Sequence, residues 1–119
     1  MKLLIINDYG IEGGGSENRI RLLVRELLKR RYFERVYILQ LEGTSASLKD
    51  DRITYYFSSG SLRNSYKTTK DLIKKEKINL VQAHNLLALS PACVRAAKDM
   101  KVPLIWFAHD YWPLCAKRS

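Results

Sequence analysis

Residues 2–30, KLLIINDYGIEGGGSENRIRLLVRELLKR, decide the fold of this chain. Residues 2–7 form a short, nearly continuous apolar run, which is typical of a strand that is covered on both faces. Over residues 20–28 the apolar side chains recur at i, i+3, i+4, i+7 and i+8, which predicts the buried face of a helix. A buried strand that leads through glycines into an amphipathic helix indicates an α/β fold with a parallel sheet.

Further short apolar runs predict four more strands, over residues 35–41, 53–57, 78–83 and 103–108. The stretches 42–52 and 58–65 are rich in Ser, Gly and Asp, so we predict that they are surface loops. In the first helix Ser16 can be the N-cap, and Glu17 suits the positive helix end.

A weaker, lysine-rich helix is predicted near residues 66–76. Another helix is predicted to open with Ser90 as N-cap and Pro91 in the first position. Its inner face would carry Cys93, Ala96, Ala97 and Met100. The resulting order, β-α-β-β-α-β-α-β, predicts a doubly wound, Rossmann-like three-layer sandwich with a mainly parallel sheet of about five strands. Ligands of such sheets bind at the carboxyl ends of the strands.

Composition indicates the number of domains, the kind of partner and the cell compartment to expect. With 119 residues the chain fits one domain, and its 21 Lys and Arg against 12 Asp and Glu give a net charge of +9. Such a surplus attracts anionic partners, although it could also serve solubility alone or be offset by an acidic partner domain. Cys93 and Cys115 lie in apolar stretches of the sequence. We therefore predict that both are small core residues of a protein in a reducing compartment. The short apolar start predicts no signal peptide, and we expect a cytoplasmic protein.

The loop after the first strand is a candidate anion site. Gly13, Gly14 and Gly15 allow close backbone approach, and Ser16 opens a helix whose free N–H groups favour a phosphate or pyrophosphate. The spacing is neither a dinucleotide fingerprint nor a P-loop. The alternative is a flexible turn that binds nothing.

Two other strand ends carry polar residues. His84 and Asn85 follow the fourth strand, where a histidine is more often structural than catalytic. His109 follows the last strand, and Asp110 could orient its ring or accept a hydrogen bond from a substrate hydroxyl. Two His and two Cys at these spacings predict no zinc site, so we expect no metal.

These segments resemble the N-terminal domain of the retaining glycosyltransferases of family 4. The matching pieces are KLLIIN, GGGSENRIRLL, INLVQAHN and VPLIWFAHDYWPLC, in the same order from end to end. The resemblance implies a GT-B fold of two facing Rossmann-like domains, in which this acceptor-side domain also closes its glycine loop on the diphosphate of a nucleotide-sugar donor. It assigns Gly14 and Gly15 to that loop and His109 to the transferred sugar. Asn18, His84 and Asn85 would shape the acceptor pocket, without a metal or other cofactor.

One departure from the family pattern is Gln82, which stands where a histidine is common. The other is the end of the chain at Ser119, from which we expect residues 1–119 to be one C-terminally truncated domain without the donor-binding domain. The chain alone is then expected to be inactive in sugar transfer, as a truncated product or as half of a split enzyme. A complementary chain would supply the donor domain.

Other expected partners are a glycan or lipid-linked acceptor, and an anionic membrane face that peripherally contacts the lysine-rich stretch 67–77. A plain solvated helix explains that stretch equally well. An exposed sheet edge would encourage a homodimer. Specific nucleic-acid binding is not expected, because no recognition motif accompanies the charge. The alternative function is a stand-alone nucleotide- or phosphate-binding module without catalysis.

Overall fold

The computed structural model describes residues 1–8, 11, 15–44, 46, 48–84 and 91–106. Five strands lie in this part of the chain: β1 (Lys2–Ile6), β2 (Arg35–Leu41), β3 (Ile53–Ser58), β4 (Leu80–Ala83) and β5 (Leu104–Trp106). The helices described between them are α1 (Gly15–Lys29), α2 (Leu62–Glu76) and α3 (Ala92–Asp99). None of these helices is long and apolar enough to cross a membrane.

The strands form one parallel sheet in the order β3-β2-β1-β4-β5. This arrangement confirms the predicted Rossmann-like fold and its element order. Every predicted strand has its counterpart in the sheet, although β4 begins at Leu80 rather than at Ile78. Strand β1 lies in the centre because β2 and β3 are added on one side of it. The chain then crosses back and places β4 and β5 on the other side.

Both faces of β1 are buried. Leu3 and Ile5 pack with the apolar side of α1, whereas Leu4 and Ile6 belong to a second cluster with α2 and α3. This double burial explains why the first strand reads as a continuous apolar run. The predicted stripe of α1 is confirmed at Ile20, Val24 and Leu28, which are buried against the sheet.

The start of α2 differs from the prediction. The helix begins at Leu62, so the predicted loop over 58–65 is wrong from that residue onward, and Ser58 belongs to β3. The physical reason is a cap, because the Ser61 hydroxyl accepts a hydrogen bond from the backbone N–H of Asn64 at 3.1 Å. The polar composition that predicted a loop here is that of a capped first turn.

Two other helix starts also need correction. The helix α1 begins at Gly15, so Ser16 lies inside its first turn rather than at the predicted N-cap. Pro91 is the N-cap residue of α3 and Ala92 is its first helical residue, so the predicted first position of Pro91 is off by one; Ser90 lies outside the described residues. The inner face of α3 is confirmed, with Cys93, Ala96 and Ala97 buried and Met100 packed against the same cluster.

A carboxylate ties α2 to the edge of the sheet. Glu76 accepts hydrogen bonds from the hydroxyls of Tyr37 on β2 and Tyr56 on β3, at 3.2 and 2.5 Å. The hydrogen bond from Tyr56 is the main cause that lowers the pKa of Glu76, and the same bond, with burial, raises the pKa of Tyr56 to about 12. This cluster fixes the last turn of α2.

We predict that Ser61→Ala lowers the free energy of unfolding by about 1 kcal/mol, because the first turn of α2 loses its side-chain acceptor. Ser61→Asp should keep the stability near that of the parent, since its carboxylate can accept the same hydrogen bond. Urea unfolding followed by circular dichroism measures both. Equal losses for the two variants would contradict the capping role.

Alkaline pH should weaken the fold through Tyr56. Its raised pKa means that the folded state holds the phenol proton more tightly than the unfolded chain, whose tyrosines titrate near 10. The stabilising contribution is therefore complete below about pH 10 and is lost as the pH rises through about 12. Tyr56→Phe should show a shallower loss of stability over this window in urea titrations. An unchanged slope would exclude the effect.

Candidate functional site

The candidate site lies at the carboxyl edge of the sheet, between β1 and β4. The strand order reverses at this point, since the chain continues from β1 toward β2 on one side and returns to β4 on the other. In open α/β sheets such a switch point forms a crevice at the strand ends, where ligands bind. The residues that follow the two strands are Asn7 and Asp8 after β1, and His84 after β4.

Backbone hydrogen bonds hold these strand ends side by side. The N–H of His84 donates to Ile6 O at 2.9 Å, and the N–H of Asn7 donates to Leu39 O at 3.1 Å. On the next strand the N–H of Leu41 donates to Asp8 O at 2.9 Å. The hydrogen-bond ladder thus continues past the end of β1. Asn7, Asp8 and His84 therefore lie on a rigid backbone edge, which is called the rim here.

The start of α1 is joined to this rim by a buried polar contact. The side-chain amide of Asn7 donates to a carboxylate oxygen of Glu17 at 3.1 Å, and both side chains are buried. Burial of a carboxylate is costly unless hydrogen bonds satisfy it, so this contact fixes where the helix begins relative to β1. The sequence pattern indicated a helix-dipole role for Glu17 and did not predict this contact.

A second contact anchors the segment before the helix. The Ile11 side chain is fully buried in the core on the α1 side, and the guanidinium of Arg21 donates twice to Ile11 O, at 3.1 and 3.2 Å. Sequence reasoning missed both residues. The available signal was one isolated apolar residue within the polar stretch YGIEGGGSE.

Of the predicted anion-binding loop, the structure describes only the last residues. Gly15 and Ser16 are the first two residues of α1, which begins beside the rim; Gly13 and Gly14 lie outside the described residues. Asn18 lies in the first turn of the helix and is exposed. The start of α1 therefore lies at the carboxyl edge of the sheet, and anion binding there stays a prediction.

His84 is held in place from the neighbouring strand. Its side chain is 2 % exposed, and the indole N–H of Trp106 on β5 donates to His84 O at 3.0 Å. Such burial is typical of a structural histidine, and the predicted contact with an acceptor stays a prediction. Asn85, His109 and Asp110 lie outside the described residues, although β5, which His109 follows in sequence, ends at the same edge.

Asp8 also has an electrostatic effect on one core residue behind the rim. Burial raises the pKa of the Cys93 thiol, and the Asp8 carboxylate adds to the rise through its negative charge. Cys93 is a buried core residue, as predicted, and its raised pKa keeps the thiol protonated, while Cys115 lies outside the described part of the chain. Within the described residues no group of three His, Cys, Asp or Glu side chains could hold a metal ion.

Comparison with known protein families gives a match over most of the chain. The profile of Glycosyltransferase Family 4 matches residues 13–119, which is most of the sequence. The chain belongs to glycosyltransferase family 4. The match extends from the glycine loop to the last residue, so it includes α1 and all of the described elements after it.

The solved structures add support for the fold. This family-4 chain is similar to CobK precorrin-6A reductase, with a TM-score of 0.62 over 93 % of its length at 15 % sequence identity. The match spans 40 % of the reductase, and at this identity it bears on the fold alone. No match was found among the curated proteins.

We predict that Glu17→Ala lowers the free energy of unfolding by about 1–3 kcal/mol, because the buried amide of Asn7 loses its carboxylate acceptor. Glu26→Ala is a suitable control, since Glu26 lies on the exposed side of the same helix in an i,i+4 ion pair with Arg30. Urea unfolding should show a change of about 0.5 kcal/mol or less for the control. A smaller loss for Glu17→Ala than for the control would contradict the anchoring role.

Proposed function

We propose that this chain takes part in the transfer of a sugar from a nucleotide-sugar donor to a glycan or lipid-linked acceptor. The observation that carries the proposal is the family match over a chain whose helix α1 begins at the switch point of the sheet. In such a transfer the bond between the anomeric carbon and the diphosphate breaks. A bond to the acceptor oxygen forms with retention of configuration, and the hydroxyl proton leaves with the diphosphate.

The start of α1 supports a role in stabilising the leaving diphosphate. Its first backbone N–H groups and the partial positive charge of the helix end lie beside the rim, and the contacts of Glu17 and Arg21 hold this end of the helix in place. Preorganised donors lower the energy of developing negative charge without reorganisation during the reaction. No metal or other cofactor is part of the proposal.

The remaining roles follow the family resemblance. His109, with Asp110, would contact the transferred sugar, while Asn18, His84 and Asn85 would shape the acceptor pocket. A GT-B enzyme holds the nucleotide on its second domain, so we propose that transfer requires a complementary donor-binding domain. We further propose that the protein acts in the cytoplasm.

Nuclear magnetic resonance of the chain with added UDP, GDP or ADP tests the proposed diphosphate site. We expect weak binding, with the largest amide shift changes at Gly15, Ser16 and Glu17. Gly14→Asp should weaken that binding at least tenfold, because it introduces a side chain and a negative charge where the donor phosphates are expected to approach. Gly60→Asp makes the same change at the exposed turn before α2 and should leave binding unaltered.

Shift changes confined to residues away from the carboxyl edge would overturn the proposed diphosphate site. Calorimetry separates the proposal from the alternative function, since tight binding of a free nucleotide by the chain alone would favour a stand-alone binding module. Sugar transfer by the chain alone, measured with a panel of nucleotide sugars and acceptors, would refute the need for a second domain.

A further inference from the structure

The solvent face of α2 carries a straight line of cations. Arg63, Lys67, Lys70 and Lys74 follow one another at spacings of four, three and four residues, so they share one face of the helix, and all four are exposed. The buried residues of α2, among them Ser65 and Leu72, lie on the opposite face. At 1.5 Å per residue the line, here called the α2 stripe, is roughly 16 Å long.

The four cations of the α2 stripe have few partners within the described structure, where Lys70 lies over the ring of Tyr66 at 5.9 Å from its centroid. None of its four cations forms an ion pair with a described residue. Of the two acids on α2, Glu76 is engaged by two tyrosine hydroxyls, and Asp71 is a neighbour of Lys67 and Lys74 on the helix surface, where it offsets only one of the four charges. Like charges at these spacings repel one another, and Arg63 also lies at the positive end of the helix. An extended anionic partner would relieve both effects.

An exposed apolar surface adjoins the stripe at its first turn. Leu62 is 70 % exposed, and it lines a groove of about 700 Å³ together with Tyr66 and Pro91. Arg63 and Lys67 line the same groove from α2, and Arg95, which pairs with Asp99 at 3.8 Å, lines it from α3. Large apolar side chains next to a row of cations are the composition that binds an anionic lipid–water interface, where the cations meet headgroups and the apolar groups enter the acyl boundary.

We propose that the α2 stripe and the groove beside Leu62 dock this chain peripherally on an anionic lipid bilayer. A nucleic acid would also neutralise the cations, but it would leave the exposed Leu62 side chain in water. The exposed leucine therefore favours a lipid partner. The surface lies on the α2–α3 side of the sheet, and α2 begins at the carboxyl edge. Docking would therefore bring that edge close to the membrane. The proposal does not depend on any catalytic role.

Co-sedimentation of the full chain with lipid vesicles tests this docking. Binding is expected to vesicles of phosphatidylcholine mixed with phosphatidylglycerol and not to phosphatidylcholine alone, and it should weaken as salt is raised. The double variant Arg63→Gln, Lys67→Gln should bind the mixed vesicles roughly 30-fold more weakly, from the loss of two surface charges. Leu62→Gln should weaken binding roughly fivefold at a salt concentration where charge is largely screened.

Matched controls lie on α1, on the opposite face of the sheet. Arg25→Gln with Lys29→Gln removes the same two residue types at the same spacing, and Leu22→Gln replaces a leucine that is 58 % exposed. These variants should bind like the parent, and circular dichroism should show all variants folded. Equal losses from the α1 and α2 variants would overturn the proposal, because binding would then follow net charge alone. Stripe-dependent binding to duplex DNA without vesicle binding would overturn it in favour of a nucleic-acid partner.

Discussion

The structure depends on the complete burial of β1. The strand pairs with β2 on one edge and β4 on the other, and its side chains enter the two separate apolar clusters on the two faces of the sheet. No polar side chain within Leu3–Ile6 can be tolerated without a partner, so polarity begins abruptly at Asn7. The same constraint that fixes the core therefore also fixes where the candidate site starts.

Much of the fold could be predicted because burial restricts the residue types that a position accepts. A strand covered on both faces must be apolar at every position, as Leu3–Ile6 is, and a helix covered on one face must be apolar at every third or fourth position, as α1 is. The starts of the helices were less predictable. Ser61 caps α2 within a polar stretch whose composition is equally typical of a loop, and only the position of Asn64 N–H relative to the serine hydroxyl distinguishes the two.

The candidate site was predictable in location but less so in its supporting contacts. Parallel strands bring their carboxyl ends to one edge, so the proximity of Asn7 and His84 follows from topology. The contacts of Glu17 with Asn7 and of Arg21 with Ile11 O depend on how α1 is rotated and placed against β1. Those details are set by packing in three dimensions, and no spacing rule within one segment contains them.

The hydrogen bond from the Trp106 indole to His84 O has a spectroscopic consequence. The ring is 47 % exposed and its nitrogen reports directly on the end of β4, so its emission should depend on the solvation and electric field of this rim. The sequence contains one other tryptophan, Trp112, and a Trp112→Phe background would leave a single tryptophan, which can be excited selectively over the tyrosines. Occupancy of the crevice could then be followed optically, without any attached label.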